Sequence, residues 1–155
     1  MKLLMISGDR GVFEPGSAFR ERLKDYGGLF EEIHVVVFAG PEYIATTIDP
    51  NISIIPTKAS NKVLSLWKAF RLAAGIVRRD PDNFLLSSQE EFGGLVGIAI
   101  KARYRVPWQA QIHSDIFNPY FRLFSKKNRL RAFLARHTLR RASCVRVVSE
   151  RIKKS

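Results

Sequence analysis

Short apolar runs alternate with longer amphipathic stretches along most of this chain. The short runs are rich in branched and aromatic side chains, and each ends at glycine, proline or polar residues, which is the pattern of buried strands. They predict strands at residues 2–7, 33–38, 52–55, 84–86, 107–112 and 144–148. Residues 40–51 have the composition of turns and are predicted to form no regular element.

The longer stretches carry apolar residues three or four positions apart, as amphipathic helices do. A helix is predicted from its N-cap, Ser17, to Gly27, and a second one starts at Asn61. Two further helices are predicted at residues 90–103 and 120–141. The predicted core face of the second helix consists of Val63, Leu66, Trp67, Phe70, Ala74 and Val77.

An alternation of helices with continuously apolar strands predicts a parallel sheet that is covered on both faces. The expected fold class is therefore α/β: a three-layer, Rossmann-like, doubly wound parallel sheet of about six strands, in a single domain over residues 1–155. Such sheets bind ligands beyond the carboxyl ends of their strands. By this rule, four segments that follow predicted strands at the carboxyl edge of the sheet are candidates for ligand binding. These rim segments are residues 8–17, 87–92, 113–118 and 149–151.

Charge is distributed unevenly along the chain. Residues 1–100 hold 11 Lys and Arg against 12 Asp and Glu, whereas residues 101–155 hold 15 against 2, so the net charge of +12 comes from the last third. Such polarisation indicates a face for an anionic partner: phosphate, acidic lipid or nucleic acid. Nucleic acid is the least favoured of these, because the chain has no aromatic RNA-binding motif and no obvious recognition helix.

Several functional classes are disfavoured by composition. Cys144 is the only cysteine, which excludes an internal disulfide, and no Cys/His cluster has the spacing of metal ligands, so no metal site is expected. The longest uncharged apolar stretch, residues 92–100, is far too short to cross a bilayer, and the start of the chain does not resemble a signal peptide. A cytoplasmic protein is expected.

The strand predicted at residues 107–112 ends at His113, and Asp115 follows two residues later. A buried parallel strand delivers such polar groups to the carboxyl edge of the sheet. Because imidazole titrates near neutral pH, His113 could act as a general base or hydrogen-bond a bound sugar or phosphate. It could equally be a structural histidine, and Asp115 could either orient its ring or begin a turn.

Two other rim segments carry weaker signals. Gly16 and Ser17 precede a predicted helix, and the first N–H groups of a helix attract phosphate, but the spacing matches neither the dinucleotide-binding nor the P-loop motif. Gln89, Glu90 and Glu91 precede another helix. Carboxylates at that position favour the positive end of the helix dipole, which is a structural role.

The predicted basic helix at residues 120–141 is the second strong feature. On one continuous helix, whole-turn spacing would place Arg122, Arg129, Arg136 and Arg140 in a single stripe, with Lys126 and Lys127 nearby. An adjoining apolar face would consist of Leu130, Phe133, Leu134 and His137. This combination suits the surface of an anionic membrane. The alternative is a helix that packs its apolar face against the core and exposes its basic face to solvent.

Four segments occur in a characteristic order and separation: KLLMIS at residues 2–7, residues 84–97 with SQEEF at the rim, QIHSD at residues 111–115, and RASCVRVVSE at residues 141–150. Together they resemble the N-terminal half of GT-B glycosyltransferases of the family-4 type. The resemblance implies one Rossmann-like half of the GT-B architecture. It also implies retaining transfer of a sugar from a nucleotide-sugar donor to a glycan or lipid-linked acceptor, without a metal or other cofactor.

By this resemblance the N-terminal domain binds the acceptor. His113 would lie beside the acceptor and the donor sugar, Asp115 would help to position it, and Gly16 would approach the donor diphosphate. The rim residues Ser17, Gln89, Glu90, Ser149 and Glu150 would lie near the donor phosphate or the acceptor.

Two departures from the family pattern change these expectations. Pro15-Gly16-Ser17 stands where the family has a double glycine, and the sequence ends at Ser155, where the family continues into a donor-binding domain. We therefore expect a chain that is inactive alone and works with a C-terminal GT-B domain in cis or in trans, with its basic third on the inner face of the membrane. The alternative is a non-catalytic Rossmann-like module that binds anionic lipid or a protein through that basic third.

Overall fold

The computed structural model describes residues 1–154, without the side chains of Arg151 and Lys154. Its strands are β1 (Lys2–Ser7), β2 (Ile33–Val37), β3 (Thr46–Asp49), β4 (Ile52–Pro56), β5 (Phe84–Gln89), β6 (Trp108–Ile112) and β7 (Cys144–Val147). Its α-helices are α1 (Ala18–Gly27), α2 (Lys62–Val77), α3 (Glu90–Tyr104), α4 (Pro119–Phe124), α5 (Lys126–Leu139) and α6 (Glu150–Lys154). Short 3₁₀ helices occur at Arg10–Phe13 and Pro81–Asn83.

The seven strands form one sheet in the order β3-β4-β2-β1-β5-β6-β7. All neighbouring strands are parallel except β3 and β4, which are antiparallel. The chain runs outward from β1 through β2 to β4 and then returns to β5 on the other side of β1, so the strand order switches between β1 and β5. This arrangement confirms the prediction of a doubly wound α/β sheet, and it marks the carboxyl ends of β1 and β5 as the place for a ligand.

Helices cover the two faces of the sheet unequally. Phe19 and Leu23 of α1 pack against the face of β1, β2 and β4, as the capped helix after Ser17 predicts. The helices α2 and α3 cover the other face, and α5 packs on α3. Trp108 lies fully buried in this second core, where its indole N–H donates to Ser88 Oγ at 2.8 Å.

Gly97 of α3 lies directly under the Trp108 ring, and a Cβ atom there would overlap the indole. Gly97→Ala is therefore expected to lower the free energy of unfolding by about 1–3 kcal/mol through overpacking. Gly75→Ala is the matched control, because Gly75 is exposed in α2 with open space around it, and alanine there should add about 0.5–1 kcal/mol. Urea unfolding of both variants measures the difference, and equal midpoints would contradict this packing.

The predicted core face of α2 is partly wrong. Val63 and Trp67 are 79% and 54% exposed, whereas the buried positions are Ser65, Ala69, Ala73 and Val77. Small side chains let this helix approach the sheet closely, and the buried Ser65 hydroxyl is satisfied by a 2.9 Å hydrogen bond with Thr57 Oγ1. The largest side chains therefore do not mark the buried face of this helix.

Three other predictions need correction. The segment predicted as turns contains β3, a short edge strand whose threonines are exposed and so lack an apolar pattern. The apolar run at residues 144–148 predicts a buried strand, but Cys144 in it is exposed because β7 is an edge strand of the sheet. The predicted basic helix is broken at Ser125, which has extended backbone angles and caps α5 by accepting from Asn128 N–H. A single stripe from Arg122 to Arg140 is therefore wrong, because Arg122 belongs to the separate helix α4.

Candidate functional site

Two adjoining cavities lie at the carboxyl ends of the strands, where the strand order switches. The first, of about 390 Å³, lies between the ends of β1 and β2 and the start of α2, and the second, of about 460 Å³, extends to the end of β6. They share four wall residues, Gly8, Phe38, Lys62 and Phe92. The second cavity is also lined by Asp9, Gln89, Glu90, Glu91, His113, Lys127 and Arg131.

His113 lies immediately after β6 and is exposed. The residue lines the 460 Å³ cavity and also a 320 Å³ cavity, which Phe19 and Arg22 of α1 line as well. Within residues 1–154 the imidazole has no hydrogen-bond partner, while its backbone N–H donates to Glu90 Oε1 at 2.9 Å. The ring nitrogens of His113 are therefore available to a bound molecule.

Glu90 fixes the loop that carries His113. It has a left-handed backbone, with φ of 56°, at the junction of β5 and α3, a conformation that costs a non-glycine residue about 1 kcal/mol. Its Oε1 accepts from the His113 N–H, and its Oε2 accepts from Ser114 Oγ at 2.8 Å. The carboxylate thus holds the loop after β6 as well as lying at the start of a helix.

Glu90→Ala should release this loop. Two hydrogen bonds to a charged acceptor are lost, so we expect the free energy of unfolding to fall by about 2 kcal/mol. The side-chain NMR signals of His113 should also change in line width as the loop gains freedom. Glu14→Ala, at an exposed glutamate, is the control. If His113 signals and stability in Glu90→Ala match those of the control, Glu90 does not hold the loop.

The neighbouring carboxylate Glu91 lies in the first turn of α3, as its place at the start of a predicted helix indicates, and it is fully buried. Its Oε1 accepts from Arg131 Nε at 2.5 Å, which ties α3 to α5. Its Oε2 is buried and has no hydrogen-bond partner within the part of the chain that the structure describes. The Arg131 guanidinium also lies 5.3 Å from the centre of the Phe121 ring, measured from Cζ. This ion pair forms the side of the 460 Å³ cavity nearest α5.

The remaining rim residues have local partners. Gln89 lines the site, and its Oε1 accepts from Ser7 Oγ at 2.5 Å. Asp115 begins a turn, in which its Oδ2 accepts from Asn118 Nδ2 at 3.2 Å. Ser149 accepts from Ile152 N–H, and Glu150 forms an exposed ion pair with Lys153 at 3.6 Å.

Gly16 and Ser17 lie before α1. Gly16 has φ of 76°, which favours glycine, and Ser17 caps the helix by accepting from Arg20 N–H at 3.3 Å. Neither is among the described residues that line the three cavities above. Their predicted proximity to a donor phosphate stays a prediction.

The basic residues divide into two groups. Lys127 lines the 460 Å³ cavity, whereas Arg122, Lys126, Arg129, Arg136 and Arg140 are exposed outside it. Large apolar side chains are exposed among them, namely Tyr120, Leu123, Phe124, Leu130 and Phe133. The buried face of α5 consists of Ala132, Ala135 and Thr138, so the larger apolar side chains of this helix do not enter the core.

Sequence reasoning missed three residues of the 460 Å³ cavity: Phe38, Lys62 and Arg131. Lys62 had a usable signal, because β4 also ends at the carboxyl edge and Asn61 caps the next helix by accepting from Leu64 N–H. Arg131 had none, since only the packing of α5 on α3 brings it to Glu91. Within the described residues, no group of three or more His, Cys, Asp or Glu side chains could hold a metal ion.

Three comparisons relate this chain to known proteins. A family model described as a glycosyl transferase 4-like domain matches residues 23–154. Two structures of sucrose-phosphate synthase from Thermosynechococcus elongatus resemble it with TM-scores of 0.70. The first structure is 15% identical to this chain, and the match covers 99% of this chain and 79% of that structure. The second is 14% identical, and the match covers 93% of this chain and 41% of that structure, so this chain spans less than half of it. No curated protein matches significantly.

Proposed function

This chain belongs to the glycosyl transferase 4-like family, and from that premise we propose that it is the acceptor-binding half of a retaining glycosyltransferase. In this proposal the complete enzyme moves a hexose from a nucleotide-sugar donor to a glycan or lipid-linked acceptor, as in polysaccharide biosynthesis. The donor binds to a C-terminal GT-B domain, in cis or in trans. The chain of 155 residues alone does not catalyse transfer.

The observation that carries the proposal is the place of His113 in the wall of the 460 Å³ cavity, with an imidazole that has no hydrogen-bond partner among the described residues. A cavity of this size accommodates a small ligand such as a sugar ring, and it lies where doubly wound sheets bind their ligands. Its wall combines hydrogen-bonding groups, including Gln89, with the ring of Phe92. Such a mixture suits a sugar, which presents hydroxyls at its edge and C–H groups on its faces.

His113 has a specific role in this proposal. Its ring nitrogens hydrogen-bond the acceptor and the donor sugar as charge develops in the transition state, while Glu90 holds its backbone. The donor side of the cleft must supply the groups that bind the diphosphate, because His113 alone cannot stabilise the leaving group. This division of labour is the reason for expecting no activity from the isolated chain.

Complementation tests this division directly. The chain is mixed with a donor domain of a related family member and assayed with UDP- and GDP-sugars on a panel of glycan and lipid-linked acceptors. We expect product only when both components are present. Transfer by the donor domain alone, at the same rate as the mixture, would contradict a contribution from this chain.

We further propose that the surface of α4 and α5 docks on an anionic membrane at the cytoplasmic face. Tyr120, Leu123 and Phe124 of α4 are 80–87% exposed, and the sequence places the exposed basic residues Arg122, Lys126 and Lys127 among them or just after them. No Asp or Glu occurs between residues 116 and 149. None of the helices within residues 1–154 is long and apolar enough to cross a membrane. Exposed aromatic residues beside basic ones suit binding in the interfacial plane.

Vesicle co-sedimentation tests the membrane proposal. Replacing Arg129, Arg136 and Arg140 together by Gln should weaken binding to phosphatidylserine vesicles about 100-fold, since each basic residue contributes about 1 kcal/mol. Binding should also weaken as salt rises. The control removes three basic residues from α1 instead (Arg20, Arg22 and Lys24), and should bind nearly as well as the unmodified chain. Equal binding by both triple variants would contradict a specific docking surface.

A further inference from the structure

The two edges of the sheet differ in how well they resist another strand. At one edge, β3 is short, its threonines are exposed, and its pairing with β4 shifts register between Thr47 and Asp49. Polar, irregular edges of this kind discourage the addition of a strand. At the other edge, β7 pairs with β6 in regular parallel register, and within residues 1–154 no other strand pairs with its outer side. The edge at β7 therefore lacks the protection that β3 has.

The backbone groups of β7 point alternately toward β6 and away from it. Ser143 N–H, just before the strand, donates to the Trp108 carbonyl of β6 at 2.8 Å. Because this direction alternates along a strand, Val145 and Val147 also turn their N–H groups toward β6, whereas Cys144 and Arg146 turn theirs outward. Cys144 and Arg146 are both exposed. Their N–H and C=O groups are thus placed to pair with an added strand.

An apolar groove of about 520 Å³ lies beside β7, between this strand and the helices α5 and α6. Val145 lines the groove and is 48% exposed, which leaves apolar surface in contact with water. Side chains of an added strand that point to this face of the sheet would cover that surface, so apolar residues are favoured there. The apolar residues that line the groove are Ile112, Phe117, Leu139, Val145, Val147 and Ile152.

The charged residues around β7 are basic. Arg136, Arg140 and Lys153 line the groove, and Arg146 lines the 320 Å³ cavity on the opposite face of the sheet together with Arg22. Among the described residues, no Asp or Glu lines either space. An acidic residue beside Arg146 would form a cross-strand pair of opposite charge, whereas a second copy of this chain would bring like charges together. Charge therefore favours an acidic partner over self-association.

We propose that β7 binds an extended, acidic segment of another polypeptide as an additional strand of the sheet. In that segment, apolar side chains that lie over the groove alternate with acidic side chains that lie beside Arg146. Main-chain hydrogen bonds to Cys144 and Arg146 supply affinity, and the alternation of side chains supplies specificity. The proposal goes beyond acceptor binding, because no residue that lines the groove also lines the 460 Å³ cavity.

Synthetic peptides of about six residues, the mean length of a strand, test the proposal by amide NMR titration of the full chain. The first peptide alternates Val with Glu, and the second alternates Val with Lys. The third has the composition of the first, with its valines and glutamates in separate blocks. We expect the first peptide to slow hydrogen exchange of the Cys144 and Arg146 amides, and to bind at least about tenfold more tightly than either other peptide.

Substitutions of Arg146 separate the backbone contribution from the charge. Arg146→Pro removes an outward N–H and no hydrogen bond to β6, so the chain should stay folded and bind the first peptide at least about tenfold more weakly. Arg146→Glu keeps the N–H and reverses the charge, so it should prefer the Val-Lys peptide, and it carries the test if proline disturbs the fold. Arg71→Glu, at an exposed arginine of α2 that lines neither space, makes the same change in net charge and should bind the first peptide like the unmodified chain.

Three results would overturn the proposal. The first is equal binding of the three peptides, and the second is slowed exchange that spares the Cys144 and Arg146 amides. The third is self-association of the chain, measured by analytical ultracentrifugation, that is lost in Arg146→Pro while none of the peptides binds. That result would assign the edge of β7 to a second copy of the chain.

Discussion

Replacing Arg131 by Leu is expected to destabilise the fold by about 3 kcal/mol, because it leaves the Glu91 carboxylate buried without a counter-charge. Glu91 is fully buried, and Arg131 Nε is its hydrogen-bond donor across α3 and α5. The expected loss of stability is at the lower end of the range for breaking a buried ion pair, because the Arg131 side chain is 28% exposed and water can approach it. Urea unfolding measures the loss.

A double variant separates the ion pair from simple packing. Replacing both residues by Leu removes the buried charge together with its partner, so Glu91→Leu/Arg131→Leu should be more stable than Arg131→Leu alone. Lys126→Leu is the surface control for α5 and should change stability by less than about 0.5 kcal/mol. If the double variant is as unstable as Arg131→Leu, the loss comes from packing and the buried charge is not its cause.

His113→Ala is expected to have the largest functional effect. In the assay with a donor domain, it should lower kcat by about 10²–10⁴-fold, the range for losing a group that acts on the reacting atoms. The protein should stay folded, because His113 is exposed and its backbone N–H, which alanine keeps, makes the hydrogen bond to Glu90. Rates of product formation at saturating donor and acceptor measure this change.

His137→Ala is the matched control, because His137 is an exposed histidine of α5 that does not line the cavities with His113. Its kcat should equal that of the unmodified chain. A His113→Ala variant with unchanged kcat would show that the cleft at the end of β6 is not the transfer site.

The sheet could be predicted from the sequence because parallel strands buried on both faces leave a continuous apolar signal. The runs at β1, β2 and β6 have that signal, and their ends differ from prediction by no more than one residue. The edge strand β3 lacks it, because its side chains are exposed or only partly buried. Periodicity also misplaced the buried face of α2, where Ala69 and Ala73 pack more closely than Trp67 could.

The candidate site was predictable only in part. Glu90 follows β5, at the switch in strand order, and His113 follows the neighbouring strand β6, so topology alone brings them to one edge. Lys127 and Arg131 reach the same cavity because the helix is interrupted at Ser125 and a separate helix, α5, packs on α3. The break depends on the backbone angles of Ser125 and on its capping of α5. The spacing of the arginines carries no information about either.

In the proposed function, this chain binds the acceptor, and the donor binds to the partner domain. The most direct test is an amide NMR titration of the chain, first with UDP-glucose and GDP-mannose and then with the acceptor that gives product in the complementation assay. We predict that the acceptor shifts the signals of Gly8, Glu90, Phe92 and His113, whereas neither nucleotide sugar shifts them. Shifts at these residues with a nucleotide sugar, and none with the acceptor, would contradict acceptor binding by this chain.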